Sequence, residues 1–174
     1  MKKWYTYAFG TLVAWIMAGC SHHHAPLPTV ASVDLARYAG TWYEIGRYPN
    51  RFETDCTAVT ATYARNDDGT IAVTNRCRLL TPNGEENVAD GTARIVEGSG
   101  NSKLEVTFFW PFYGDYWIMM LGEEYEYAVV GEPSRKYFWI LARTPSLDRG
   151  IRQKILARLP ALGYDAAKIH WTVH

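Results

Sequence analysis

Net charge, spare cysteine and catalytic sequence patterns are what this chain has least of. Its 18 Lys and Arg balance 18 Asp and Glu, and losing Lys2 and Lys3 with a leader would make the remainder only slightly acidic. That excludes the basic footprint of a nucleic-acid partner. There is no nucleophile elbow, no phosphate-cradling glycine loop and no His-Glu-x-x-His helix. The carboxylates of Asp67, Asp68, Glu85 and Glu86 fall in turns, where they keep loops solvated, and His170 and His174 stand alone. No catalytic residue, cofactor or metal site is therefore expected. Loops long enough to hide a second domain are missing as well. What is abundant is aromatic side chain, 14% of 174 residues within a 48% hydrophobic composition. That enrichment suits β-strands and an apolar pocket.

Only one hydrophobic run is long, and it lies at the N-terminus. Lys2 and Lys3 precede an apolar body from Trp4 to Met17 and a small-residue site at Ala18-Gly19-Cys20, the order of a secretory leader over residues 1–19. Sixteen residues of helix would reach about 24 Å, short of the ~30 Å hydrocarbon core, so a spanning helix is the weaker reading. Met17-Ala18-Gly19-Cys20 also resembles the lipobox of bacterial lipoproteins, which implies cleavage before Cys20 and lipidation of that residue. Ser21, in place of Asp, then implies sorting to the outer membrane, with the domain facing the periplasm. Residues 20–33, rich in His, Pro and Ala, read as a lipidated tether, and His22-His23-His24 as a solvated part of it rather than a preorganised metal site.

Beyond a short helical turn at Asp34–Tyr38, eight strands are expected over residues 41–48, 57–64, 70–79, 87–95, 103–109, 115–121, 126–131 and 136–143. Turn signals such as Asn66-Asp67-Asp68-Gly69 and Thr81-Pro82-Asn83-Gly84 separate them. A helix capped by Ser146 follows, with Leu147, Ile151, Ile155 and Leu159 on one stripe and Pro160 as its stop; Ile169 to Val173 could add a last strand. With Cys20 lipidated, Cys56 and Cys77 are left to pair across the hairpin that turns at residues 66–69. Strict register puts Thr57 rather than Cys56 opposite Cys77, so the bond needs a bulge or a place at the strand's start; two free thiols are the alternative.

Three stretches carry a family resemblance: Gly40-Thr41-Trp42-Tyr43-Glu44, Glu124-Tyr125-Glu126-Tyr127-Ala128-Val129-Val130, and Trp139-Ile140-Leu141-Ala142-Arg143-Thr144-Pro145. In order and spacing they resemble the three signature regions of the lipocalins, most closely the bacterial and apolipoprotein D-like members. The middle one departs from the family's Thr-Asp-Tyr by reading Glu123-Glu124-Tyr125. The resemblance runs from about Asp34 to Trp171, within a domain of residues 34–174, and implies an all-β, eight-stranded antiparallel up-and-down barrel with a C-terminal α-helix packed outside, Gly40, Trp42, Tyr125 and Arg143 being the signature residues. A Gly beside Trp42 suggests close backbone approach, and Arg143 is the cation for the indole.

If Trp42 and Arg143 point into the closed end, alternation selects the inner wall. It takes Glu44 and Gly46 on the first strand, then Val59, Ala61 and Tyr63, then Ile71, Val73 and Asn75, then Ala89, Gly91 and Ala93. The later strands supply Leu104, Val106 and Phe108, then Tyr116, Ile118 and Met120, then Ala128 and Val130, and finally Tyr137, Trp139 and Leu141. Of these, Tyr63, Val73, Asn75, Val106, Phe108, Tyr116, Ile118, Tyr137 and Trp139 are the expected ligand contacts. The aromatic run Phe108–Tyr113 reads as the lip of the pocket. The resemblance implies storage or transport of a fatty acid or lysophospholipid by an outer-membrane lipoprotein, with a homodimer possible. The competing readings are an interaction or structural lipoprotein without cargo, and a catalytic member of the fold.

Overall fold

The computed structural model describes residues 25–174. The leader reading of residues 1–19, the acyl site at Cys20 and the triple histidine lie outside them. Among the described residues nine strands form: β1 (Gly40–Arg47), β2 (Cys56–Arg65), β3 (Ile71–Leu79), β4 (Glu86–Ile95), β5 (Lys103–Phe109), β6 (Phe112–Leu121), β7 (Tyr127–Gly131), β8 (Phe138–Ala142) and β9 (His170–Trp171). Strands β2 to β8 pair in sequence, β8 pairs with β1, and β1 returns to β2. Every pairing is antiparallel, so the first eight strands close into an up-and-down barrel without free edges.

Two apolar cores result from the alternation. Inside the barrel, Trp42, Tyr63, Val73, Ala93, Leu104, Ile118, Val130 and Leu141 pack together with Tyr38 of α1 (Leu35–Tyr38). Outside, Ile45, Met119, Tyr127, Val129, Phe138 and Ile140 meet Ile155, Leu159 and Leu162 of α2 (Arg149–Leu162). The expected stripe on α2 exists, with differences at both ends. The N-cap is Asp148, whose carboxylate accepts from the N–H groups of Gly150 and Ile151, rather than Ser146. Pro160 does not stop the helix but lies in its last turn; the stop is Gly163, left-handed at φ 81°, with Gly163 and Tyr164 both donating to the carbonyl of Leu159.

Residues 25–33 do not behave as a free tether. Leu27 and Val33 are buried, and the segment lies against the barrel through Val30 N–H to the Ile118 carbonyl (3.0 Å) and Val33 N–H to the Gly100 carbonyl (2.8 Å). Ser102 adds a hydroxyl contact to Thr29 (3.0 Å), and Asn101 donates to the Val33 carbonyl (3.0 Å). The short apolar residues set among Pro26, Pro28, Thr29 and Ser32 carry too little periodicity to signal this strap.

The inner-wall parity breaks in two strands. On β6 the register shifts between Ile118 and Met120, so Met120 lies opposite Val129 and packs against the outer core rather than inside as expected. Strand β1 bulges between Glu44 and Gly46, so Gly46 lies opposite Ile140 of the outer core and Arg47 opposite Trp139. Gly46 therefore faces outward rather than in, and a Cβ there would come within 2.9 Å of Ile169 and 3.1 Å of Trp171. The missing side chain is what lets β9 lie on β1. Below the bulge β1 pairs directly with β2; above it the C-terminal segment fills the seam, Thr172 N–H bonding the Ile45 carbonyl (3.0 Å) and Val173 accepting from Ala58 N–H (2.6 Å).

Candidate ligand-binding site

The closed end is built around Trp42. Its indole N–H donates to the Tyr38 carbonyl at 2.8 Å, and the Arg143 guanidinium lies 3.8 Å from its ring centroid. Arg143 also donates to the carbonyls of Thr41 (3.0 Å), Arg37 (2.6 Å) and Tyr125 (3.3 Å), so it ties β1, α1 and the β6–β7 turn together. The Tyr125 hydroxyl accepts from Asp34 N–H at 2.8 Å, and the Arg37 guanidinium covers its ring. All four signature residues thus meet at the closed end. Gly40 is needed there for its φ of 91°, since the space beside it, 3.6 Å from Arg143, would admit a Cβ.

Above this plug the Tyr116 hydroxyl bonds those of Tyr38 (2.8 Å) and Tyr63 (2.9 Å). Burial pushes all three phenols well above their ordinary range, so the trio stays neutral and forms the polar floor of an otherwise apolar tube. A crevice of about 10 Å³ between α1 and the β2–β3 hairpin, lined by Leu35, Tyr38, Ile71 and Leu104, has room for little more than one water and no cargo.

Toward the open end the inner wall emerges into solvent. Ile118 and Val73 are buried, while Asn75, Val106, Tyr137 and Trp139 are half-buried and Phe108 is 46% exposed, its ring laid across Gly91. Tyr137 and Trp139 stack at 6.0 Å and 7°. The Asn75 side-chain oxygen is buried without a hydrogen-bond donor. The nine expected contact residues are thereby divided: Tyr63, Tyr116, Ile118 and Val73 form the floor and lower wall, and the other five line the exposed upper wall. The disulfide joins Cys56 and Cys77, whose Cα atoms are 5.4 Å apart, beside Val59. It needs both devices anticipated, because β2 starts at Cys56 and is bulged between Thr57 and Thr60. The register differs by two from the strict one, pairing Tyr63 with Val73 rather than Ile71.

The wall also holds an ion cluster, of which strand alternation selects only Glu44. Because of the β1 bulge, Arg47 turns inward and bonds Glu44 at 2.8 Å, with Glu53 of the β1–β2 loop 3.5 Å away. Glu53 also accepts from Asn50 (2.5 Å) and from the Trp139 indole N–H (3.3 Å), which folds its loop onto the wall. The Thr172 hydroxyl donates to Glu44, and His174 contacts the Glu44 carbonyl at 2.7 Å. Burial, and then the nearby Glu53 carboxylate, raise Glu44 to about 8 against the pull of Arg47. Two carboxylates share one guanidinium, so the cluster retains a proton near neutrality. Glu44 was expected inward; Arg47 and Glu53 could have been found only by anticipating the bulge. Among the described residues no group of three or more His, Cys, Asp or Glu could hold a metal.

Comparison with known proteins agrees with this arrangement. Residues 33–174 match the family described as Lipocalin-like domain. The outer membrane lipoprotein Blc of Escherichia coli K12 is 38% identical over 160 residues, covering 91% of this chain and 90% of that protein. The Blc of Vibrio cholerae is 37% identical over 162 residues, covering 92% and 94%, and apolipoprotein D of Rattus norvegicus is 36% identical over 151, covering 82% and 77%. Among solved structures, insecticyanin from the tobacco hornworm Manduca sexta superposes with a TM-score of 0.69 at 20% identity, covering 86% of this chain and 85% of that one.

Proposed function

The chain belongs to the lipocalin family, and from that premise we propose that it stores or transports a fatty acid or lysophospholipid in its barrel. In the same reading it is an outer-membrane lipoprotein, anchored through lipidated Cys20 and facing the periplasm, as the names of its Blc relatives suggest for them. Lipocalins with such relatives bind small hydrophobic ligands. The observation that carries the finer choice is the gradient along the inner wall: a sealed floor, a half-exposed apolar wall of Val106 and the aromatic Phe108, Tyr137 and Trp139, and one polar cluster, Arg47 with Glu44 and Glu53, toward the mouth. An acyl chain suits the wall, and a polar head suits the cluster and the unpartnered Asn75 oxygen. Function here is binding, and no step of chemistry is assigned.

The test is extraction of the detergent-solubilised protein followed by native mass spectrometry, which should find a copurifying acyl lipid. Trp139→Ala should then weaken binding of that class by about 1–3 kcal/mol, the scale of one buried aromatic contact. An empty barrel that takes up neither fatty acid nor lysophospholipid would favour the cargo-free structural reading.

A further inference from the structure

The strap at residues 25–33 has a direction. Val33 is bound at the β4–β5 turn of the closed end, and eight residues earlier the Ala25 carbonyl accepts from Arg135 (2.6 Å) in the β7–β8 turn, on the open side. Passing from closed to open end against the chain direction, it delivers residue 25 to the mouth. From there to Cys20 is five residues, a reach of at most about 18 Å even if fully extended.

The two barrel ends differ sharply in chemistry. The mouth carries Phe52 on the β1–β2 loop, Leu80 on the β3–β4 turn, and Phe109, Trp110 and Phe112 on the β5–β6 hairpin, all between 64% and 78% exposed. The stretch Thr107–Gly114 contains no charged residue. The turns of the closed end expose a mainly acidic set, Asp67, Asp68, Glu97, Glu123 and Glu124 beside Arg37 and Arg65, whereas the other loops of the mouth mix both signs with Arg51, Asp55, Glu85, Glu86 and Lys136. An aromatic, uncharged tip is what settles at a bilayer interface, and an acidic end is what an anionic leaflet repels.

We propose that the barrel sits mouth-down on the bilayer that holds its anchor, with the β5–β6 tip and Phe52 dipping into the leaflet. The proposal rests on the reading of Cys20 as the acylated residue. Its consequence is that an acyl lipid can pass between leaflet and inner wall without crossing bulk water, and that Trp139 and the Arg47 cluster meet the head group on its way in.

The test uses the full-length, acylated protein in phosphatidylethanolamine/phosphatidylglycerol vesicles with brominated acyl chains. A bimane label is placed at Phe109→Cys, with Phe112→Cys as a second position, and at Asp67→Cys for the closed end. Quenching should be at least about three-fold stronger at the mouth positions, because interfacial side chains reach only ~5–10 Å into the leaflet and the far end stays clear of it. A protein that fails to co-float with the vesicles refutes the anchor and the orientation together. One that floats, but whose mouth labels are quenched no more than the Asp67→Cys label, refutes the orientation alone. Mouth labels shielded from both bromine and aqueous iodide, with mouth-to-mouth cross-links, would assign that face to a second copy and overturn the proposal as well.

Discussion

Arg143 holds the closed end at several points at once, through the Trp42 face and the carbonyls of Thr41, Arg37 and Tyr125. Arg143→Ala removes a cation–π contact and leaves several carbonyls without donors, so the expected loss is about 1–3 kcal/mol by denaturant unfolding, with ligand affinity nearly unchanged. Glu44 behaves differently, because its proton is part of the fold. Between the ordinary carboxylate value of 4.5 and about 8 the folded barrel keeps a proton that the unfolded chain has released. Stability should therefore fall as pH rises through that window and level off above it. Glu44→Gln should flatten this slope, which unfolding midpoints measured at about pH 5 and about pH 8 will show as a smaller difference than in the wild type.

At the level of elements, the β2–β3 hairpin and the C-terminal segment are the two fastenings of the seam. Thiol titration of the denatured, unreduced domain should find neither Cys56 nor Cys77 free. Cys56→Ala should lower stability by about 2–4 kcal/mol while the inner wall keeps its spectrum. Deleting Thr172–His174 leaves the Ile45 carbonyl and the Ala58 N–H unpaired and uncovers Glu44. A loss of about 1–3 kcal/mol is expected, with faster hydrogen exchange confined to β1 and β2 above the bulge. The helix α2 continues through Pro160 because the ring sits in the final turn, where the remaining bonds and the Gly163 cap still close the end.

For the whole molecule, Cys20→Ala should shift the protein out of the membrane fraction or leave it unprocessed at higher mass, since several acyl chains anchor where one binds only marginally. Unchanged fractionation would remove the anchor and the orientation that depends on it. Because the mouth is where the strap, the apolar tip and the half-exposed wall converge, anchoring and ligand exchange belong to one end of the barrel in this reading.

Strand number, antiparallel order and the meeting of Trp42 with Arg143 were legible in the chain, since period-two alternation and turn residues are local properties and three ordered motifs constrain each other. The lower wall followed from the same alternation. Tertiary structure alone decided what lay beyond the bulge at Glu44–Gly46, because one extra residue in a strand reverses every later side chain and leaves no mark in composition. That reversal turned Arg47 inward, paired it with Glu44 and drew Glu53 onto Trp139. The strap at 25–33 likewise took its place from the groove it fills rather than from its own sequence. Pairing partners distant in the chain settle such features, and no local pattern carries them.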